Sequence, residues 1–147
     1  MRYRLSCFGE KIFILLNSFD FEIPLSSDAK MLSPKLEGRM LDAVNIQKDE
    51  SVLQIGTGSG YITAVISQLC KSVTTLEINQ DLSNAAQKRV LGLGINHVKF
   101  INIDARDWQP DNFFGVVVVE ASVPKISSNY MHLLSVGGRM FIVEGED

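Results

Sequence analysis

The chain has 147 residues, 46% of them apolar and 21% charged, with a net charge of −3. That length fits one domain with a real core, and the composition is ordinary for a soluble globular protein. No stretch gathers lysine or arginine, so no electrostatic footprint for nucleic acid exists. The two cysteines, Cys7 and Cys70, have neither metal nor disulfide spacing and fit a reduced, cytosolic setting.

Residues 1–18 carry no legible pattern. Met1 to Arg4 is basic and Ile12 to Leu16 is apolar, but Glu10 and Lys11 interrupt any signal-peptide core. The apolar run is too short to span a bilayer, so no targeting or membrane segment is read. Residues 19–147 form the domain. Pro34 opens a helix with Ser33 as its N-cap, and Leu36, Met40, Leu41 and Val44 share a face. Val52 to Ile55 is a first strand. Ile62, Val65, Ile66 and Leu69 mark a helix, and Val73 to Leu76 is a second strand. Asn79 or Asp81 caps the next helix, which Gly92 and Gly94 stop. Val98 to Ile103 is a third strand, Trp108 to Asn112 a loop, and Val116 to Val119 a fourth strand. Ile126 to Leu134 reads as a helix closed by Gly137-Gly138, and Met140 to Val143 as a fifth strand. Alternating strands and helices predict a doubly wound α/β fold with a mainly parallel sheet in the order 3-2-1-4-5.

The most informative stretch is V-L-Q-I-G-T-G-S-G-Y, residues 52–61. Gly56, Gly58 and Gly60 follow a strand and precede a helix, so the backbone can lie close to a ligand. Glu77 ends the second strand, 17 residues beyond Gly60. A carboxylate there accepts two hydrogen bonds from the hydroxyls of a ribose. Asp104 ends the third strand, where its carboxylate accepts from an adenine amine while Ala105 offers its N–H. The alternative for Asp104 is a turn or cap role. Glu120 and Ala121 end the fourth strand at the same crevice, where Glu120 is either a site group or a simple strand-end acid. His97 and His132 read as surface residues, and Trp108 as a packed loop anchor. The glycine spacing argues against a nicotinamide-dependent dehydrogenase, whose third glycine falls three residues after the second. Here that position is Tyr61.

The motif V-L-Q-I-G-T-G-S-G-Y-I-T-A-V resembles the first motif of class I S-adenosylmethionine methyltransferases. More narrowly it resembles protein-L-isoaspartate O-methyltransferases. The segments from Phe21 to Leu25 and Lys30 to Leu41, and the ending L-L-S-V-G-G-R-M-F-I-V, are similar to a bacterial branch of that family. The resemblance covers roughly residues 19–145. It implies S-adenosyl-L-methionine as cofactor and, as methyl acceptor, the carboxylate of an isoaspartyl residue in a damaged protein or peptide. It carries the cofactor-binding positions onto Gln54, Gly56, Thr57, Gly58, Ser59, Gly60, Glu77, Ile78, Asp104, Ala105 and Glu120, and the catalytic position onto Ser33. No metal is implied.

The chain departs from the family pattern in four places. Gln54 stands where the family usually has a glutamate, which removes a charge that would attract the methionine ammonium. The family's Ile-Ser-Gln-Pro puts Leu32 at the serine position and Ser33 at the glutamine position. Ser33 either supplies the hydroxyl from one residue away or only caps the helix. The family's Arg-His-x-Phe-Val-Pro segment is absent from residues 1–18. The sequence ends at Asp147, just after the fifth strand, without the usual C-terminal antiparallel pair. An apolar fifth strand would then be a bare edge. Either a second copy of the chain covers it, giving a homo-oligomer, or Ile12 to Leu16 folds back over it. These departures keep a second function open, a cofactor-binding module without turnover.

Overall fold

The computed structural model describes residues 4–5, 11–16, 23–24, 30–123 and 128–144. Strands β1 (Arg4–Leu5), β2 (Lys11–Leu16), β5 (Ser51–Ile55), β6 (Ser72–Glu77), β7 (Val98–Asn102), β8 (Phe114–Val123) and β9 (Leu134–Glu144) form one sheet. Its order is β1-β2-β9-β8-β5-β6-β7. A separate antiparallel pair joins β3 (Ile23–Pro24) to β4 (Lys30–Met31). The helices are α1 (Pro34–Val44), α2 (Tyr61–Ser67), α3 (Gln80–Gly92) and the short α4 (Ser128–Met131). The five strands from β7 to β9 are all parallel and keep the expected 3-2-1-4-5 order, which reverses direction between β5 and β8.

Strand alternation divides the core between two faces. Val52, Val116, Val118 and Phe141 pack on one face with Met40 and Val44 of α1 and Ile62 and Ile66 of α2. Leu53, Val117, Val119, Met140 and Ile142 point to the other, against Tyr130, Leu133 and the loop residues Ala105 and Trp108. A strand buried on both faces needs an unbroken apolar run, which V-V-V-V at 116–119 supplies. Trp108 lies 6.2 Å from Phe114 between ring centroids, as a loop anchor should.

Local chemistry sets the helix ends. Ser33 Oγ accepts from Leu36 N at 3.4 Å, with Pro34 at the first helical position. Asn79 Oδ1 accepts from Leu82 N at 3.1 Å, so Asn79 is the cap of α3, and Gly94 follows its end at φ 79°. Helix α2 ends at Ser67, two residues before Leu69. Asn45 closes α1 in the left-handed region at φ 43°, and Arg139 on β9 holds that end in place. Its Nε donates to Val44 O at 2.6 Å, and a terminal nitrogen donates to Glu50 at 2.6 Å.

Two expectations are corrected. The helix expected over 126–134 is only Ser128–Met131 among the described residues, and Gly137-Gly138 do not close it. Leu134 instead pairs with Phe114 and opens β9, and the glycines form an irregularity within that strand. Gly137 takes φ 76°, and a Cβ on Gly138 would sit 2.8 Å from Ser135 O, so the detour needs both glycines. The second correction concerns the bare edge. β2 pairs in parallel along β9, from Lys11 opposite Arg139 to Leu16 opposite Glu144. The edge expected to drive a homo-oligomer is therefore occupied by the chain's own N-terminal strand, the second of the two covers considered.

Deleting residues 1–17 should uncover β9 and produce concentration-dependent association in light scattering, whereas the full chain should show none through that edge. The Arg139–Glu50 pair makes a separate prediction. Burial opposes ionisation of Glu50, but hydrogen bonds from Arg139 and the Gln47 N–H, together with the Arg139 charge, hold its carboxyl below the ordinary 4.5. A depressed folded value contributes stability above 4.5 that disappears as pH falls through the folded value. Glu50→Gln should cost roughly 1–3 kcal/mol at pH 7. Urea unfolding of variant and parent should converge in acid below the ordinary carboxylate range.

Candidate functional site at the carboxyl edge of the sheet

The candidate site is built on the loop after β5. Gly56, Gly58 and Gly60 take φ values of 94°, 56° and 85°, so each needs the left-handed freedom that glycine has without strain. Gly60 also needs to lack a side chain. A Cβ there would lie 3.0 Å from Ala86 Cβ, so the glycine sets how closely α3 approaches the loop. Arg89 Nη1 donates to Ser59 O at 3.1 Å and ties the same two elements.

Glu77 is 8% exposed at the end of β6. Its Oε2 accepts from Gly58 N at 3.0 Å and its Oε1 from Asn79 N at 3.0 Å. The backbone thus fixes the carboxylate from both sides while each oxygen keeps a further acceptor position. Ile78 follows and is 66% exposed, an apolar surface beside the acid.

Asp104, one residue beyond Ile103, is engaged by Arg106. The guanidinium reaches both carboxylate oxygens, at 2.6 to 3.1 Å, and the Arg106 N–H adds a bond at 2.9 Å. Those hydrogen bonds, side chain first, hold the Asp104 carboxyl down at about 2. The turn role weighed for Asp104 is therefore present. Ala105 is half-buried and packs against the core.

Gln54 does not face outward. It is fully buried, and its Oε1 accepts from Thr63 Oγ1 at 2.6 Å and from Thr75 Oγ1 at 3.1 Å. Its Nε2 donates to Glu120 Oε1 at 2.9 Å. Thr57, 4% exposed, sits 2.6 Å from Thr75 Oγ1 and extends this network into the glycine loop. Burial pushes the Glu120 carboxyl up to about 8; the Gln54 hydrogen bond opposes this and the charge of Glu37 adds to it.

Glu37 was not among the residues singled out from the sequence. It lies in the first turn of α1, 3% exposed, and neither carboxylate oxygen has a hydrogen-bond partner among the described residues. Burial pushes its carboxyl up to about 7. The signal was present in the spacing: Glu37, Met40 and Val44 fall on one buried stripe, so helical period alone places a glutamate in the core.

Leu32 is buried in the core, while the neighbouring Ser33 is half-exposed with its oxygen on the helix cap. His97 is exposed with its ring at 2.8 Å from Ser67 O, and His132 is exposed. Among the described residues no His, Cys, Asp or Glu cluster could hold a metal ion, and no helix is long and apolar enough to cross a membrane. Cys70 is buried, which raises its thiol to about 11. Cys7 lies outside the described residues.

The chain is similar to known proteins in sequence and in fold. A relative named protein-L-isoaspartate O-methyltransferase from Myxococcus xanthus is 34% identical over 129 residues, covering 87% of this chain and 61% of the relative. One named protein-L-isoaspartate O-methyltransferase 1 from Nitrosospira multiformis is 33% identical over 124 residues, covering 84% and 52%. A solved protein-L-isoaspartate O-methyltransferase superposes with a TM-score of 0.70 at 26% identity, covering 87% of this chain and 41% of that one. The chain thus spans about half to three-fifths of the length of these curated relatives. The family model described as protein-L-isoaspartate(D-aspartate) O-methyltransferase matches residues 7–146. A match over that span, joined to relatives at one-third identity, makes the chain a member of the protein-L-isoaspartate(D-aspartate) O-methyltransferase family.

Proposed function

We propose that the chain binds S-adenosylmethionine along the carboxyl edge of its sheet and methylates the carboxylate of an isoaspartyl residue in a damaged protein or peptide. The observation that carries this reading is Glu77. A nearly buried carboxylate, pinned by Gly58 N and Asn79 N at 3.0 Å each, offers one further acceptor site per oxygen. The two hydroxyls of a ribose match that pattern, and the glycines leave the loop backbone bare enough to approach it.

The residues present fit the rest of the cofactor. Ile78 gives an apolar surface for the adenine next to the ribose acid. Asp104 and Ala105 stand at the neighbouring strand tip, and Asp104 stays ionised well below neutral pH, so it can accept from the adenine amine. Gly56, Thr57, Ser59 and Gly60 shape the loop, with Thr57 held from below by Thr75.

When bound, the cofactor supplies an electrophilic methyl group on a sulfonium. The acceptor carboxylate is already ionised at neutral pH, so no strong base is required of the protein. The chain's residues have to position the acceptor and exclude water. Ser33 is the proposed catalytic residue. Its oxygen accepts the cap bond from Leu36, and its O–H remains a donor for the incoming carboxylate.

Calorimetry with S-adenosylhomocysteine tests the cofactor directly, and absence of binding at high micromolar concentration would sink the reading. Glu77→Ala should weaken binding by about tenfold or more, because it removes charge-assisted bonds to the ribose. Labelled-methyl transfer should reach an isoaspartyl peptide and spare its aspartyl twin. Binding without transfer to either peptide would select the non-catalytic module instead. Ser33→Ala should cost about 1 kcal/mol through the lost cap and also slow transfer. Ser33→Asp restores a cap without a donor; if it transfers as fast as the parent, the hydroxyl has no catalytic part.

A further inference from the structure

Glu37 is buried with no partner among the described residues, and the half-buried Glu120 has Gln54 on one oxygen. Glu120 ends the core ladder of β8, where pairing to β9 slips: Val119 lies opposite Ile142, but Val123 lies opposite Glu144. Four residues of β8 therefore span two of β9, and such irregularities re-aim side chains at strand ends. Glu120 Oε1 takes its hydrogen bond from Gln54, while Oε2 is engaged by no described residue. Glu37 lies within electrostatic reach of Glu120 and is itself an orphan, 3% exposed with both oxygens unpartnered among the described residues.

Burying one unpaired carboxylate is costly, and placing two together is worse unless a positive group arrives or a proton is held. Among the described residues, the groups around Glu120 supply no positive charge. From α1 it faces Glu37; from β5 it meets the neutral Gln54, backed by Thr63 of α2 and Thr75 of β6. Along β9, apolar Ile142 lies in register with Val119 and Glu144 with Val123. A cation from outside would complete this set.

The sheet order says which cation. Glu120 and Gln54 stand on β8 and β5, the two strands between which strand order reverses, where open α/β sheets bind ligands. Across the sheet edge the strands run β7, β6, β5, β8, so the acids come in the order Asp104, Glu77 and Glu120. A ligand with its base near Asp104 and its ribose on Glu77 extends its remaining arm toward Glu120.

Resting on the cofactor reading above, we propose that Glu120, with Glu37 behind it, receives the α-ammonium of the cofactor's methionyl arm. Residue 54 does not. Seating the cation displaces the proton held by the acid pair to solvent, while the ammonium keeps its own protons. Gln54 becomes a positioning residue: its amide aims the Glu120 carboxylate and its carbonyl is occupied by two threonines. The raised values of Glu120 and Glu37, about 8 and about 7, mean that the pair holds a proton at neutral pH before the arm arrives.

The test compares two ligands by calorimetry. S-adenosylhomocysteine has the amino-acid arm; 5′-methylthioadenosine has the same nucleoside and thioether without it. Glu120→Gln should weaken the first by about ten- to a hundredfold and leave the second unchanged. Repeating the titrations in buffers of different ionisation enthalpy should show the parent releasing most of a proton at pH 7 with the first ligand and none with the second. Equal weakening of both ligands, or of neither, would overturn the assignment. So would proton release that is undiminished in Glu120→Gln. If Glu120→Gln does not fold, Glu37→Gln carries the test: it should reduce proton release and weaken only the armed ligand, and an unchanged profile rejects the pair. If the parent binds neither ligand, the cofactor reading itself falls, and this inference with it.

Discussion

The structure depends on one buried amide. Gln54 lies in the central strand and is fully excluded from solvent, yet its carbonyl accepts two hydroxyls and its amide nitrogen reaches Glu120. Those contacts join β5 to α2, β6 and β8 beneath the glycine loop. A buried polar group of this kind stabilises only when it is satisfied, and a satisfied one fixes its neighbours tightly. A carboxylate at the same position would face Glu120 at hydrogen-bond distance, and two acids cannot both ionise there. The glutamine and the acid on β8 therefore have to be understood as one unit.

The loop above this amide shows how little sequence is needed to define a site when backbone geometry is extreme. Three positive φ angles in five residues leave few choices other than glycine. Gly60 adds a packing demand, because α3 comes to Ala86 at contact distance. The loop then holds Glu77 through Gly58 N, so this acid and the glycines are geometrically a single device. Mutation at Gly60 would be felt at Glu77 through that chain of contacts.

Features carried by local rules were legible in the sequence. Pro34 after Ser33, Asn79 before α3, the alternate glycines and the V-V-V-V strand each reflect a short-range requirement, and each lies where expected. What was not legible depends on partners distant in sequence. The Gly137-Gly138 pair reads as a helix stop, but Leu134 is captured by Phe114 and the glycines serve a strand detour. The apolar run at 12–16 is one of two covers the sequence offers for the fifth strand, and only its pairing with β9 decides between them. Arg139, holding the end of α1 across 95 residues, has no local signature at all. Glu37 is the intermediate case: its spacing puts it on the buried stripe, yet a glutamate is normally read as solvated.

Family membership and departure from the family meet at the same strand tips. The glycine loop and Glu77 keep the features that the resemblance rests on. Gln54 departs from the glutamate of the family pattern, and the acid it meets, Glu120, stands on the neighbouring strand. β5 and β8 are one strand spacing apart, about 5 Å, so an acid on β8 stays within reach of a flexible amino-acid arm seated over β5. Glu120 also lies at a register slip, where the backbone is released from the ladder and a side chain can be turned toward the crevice. On this view the amide at position 54 does not mark a lost charge. It is the hydrogen-bond donor that holds the Glu120 carboxylate in position.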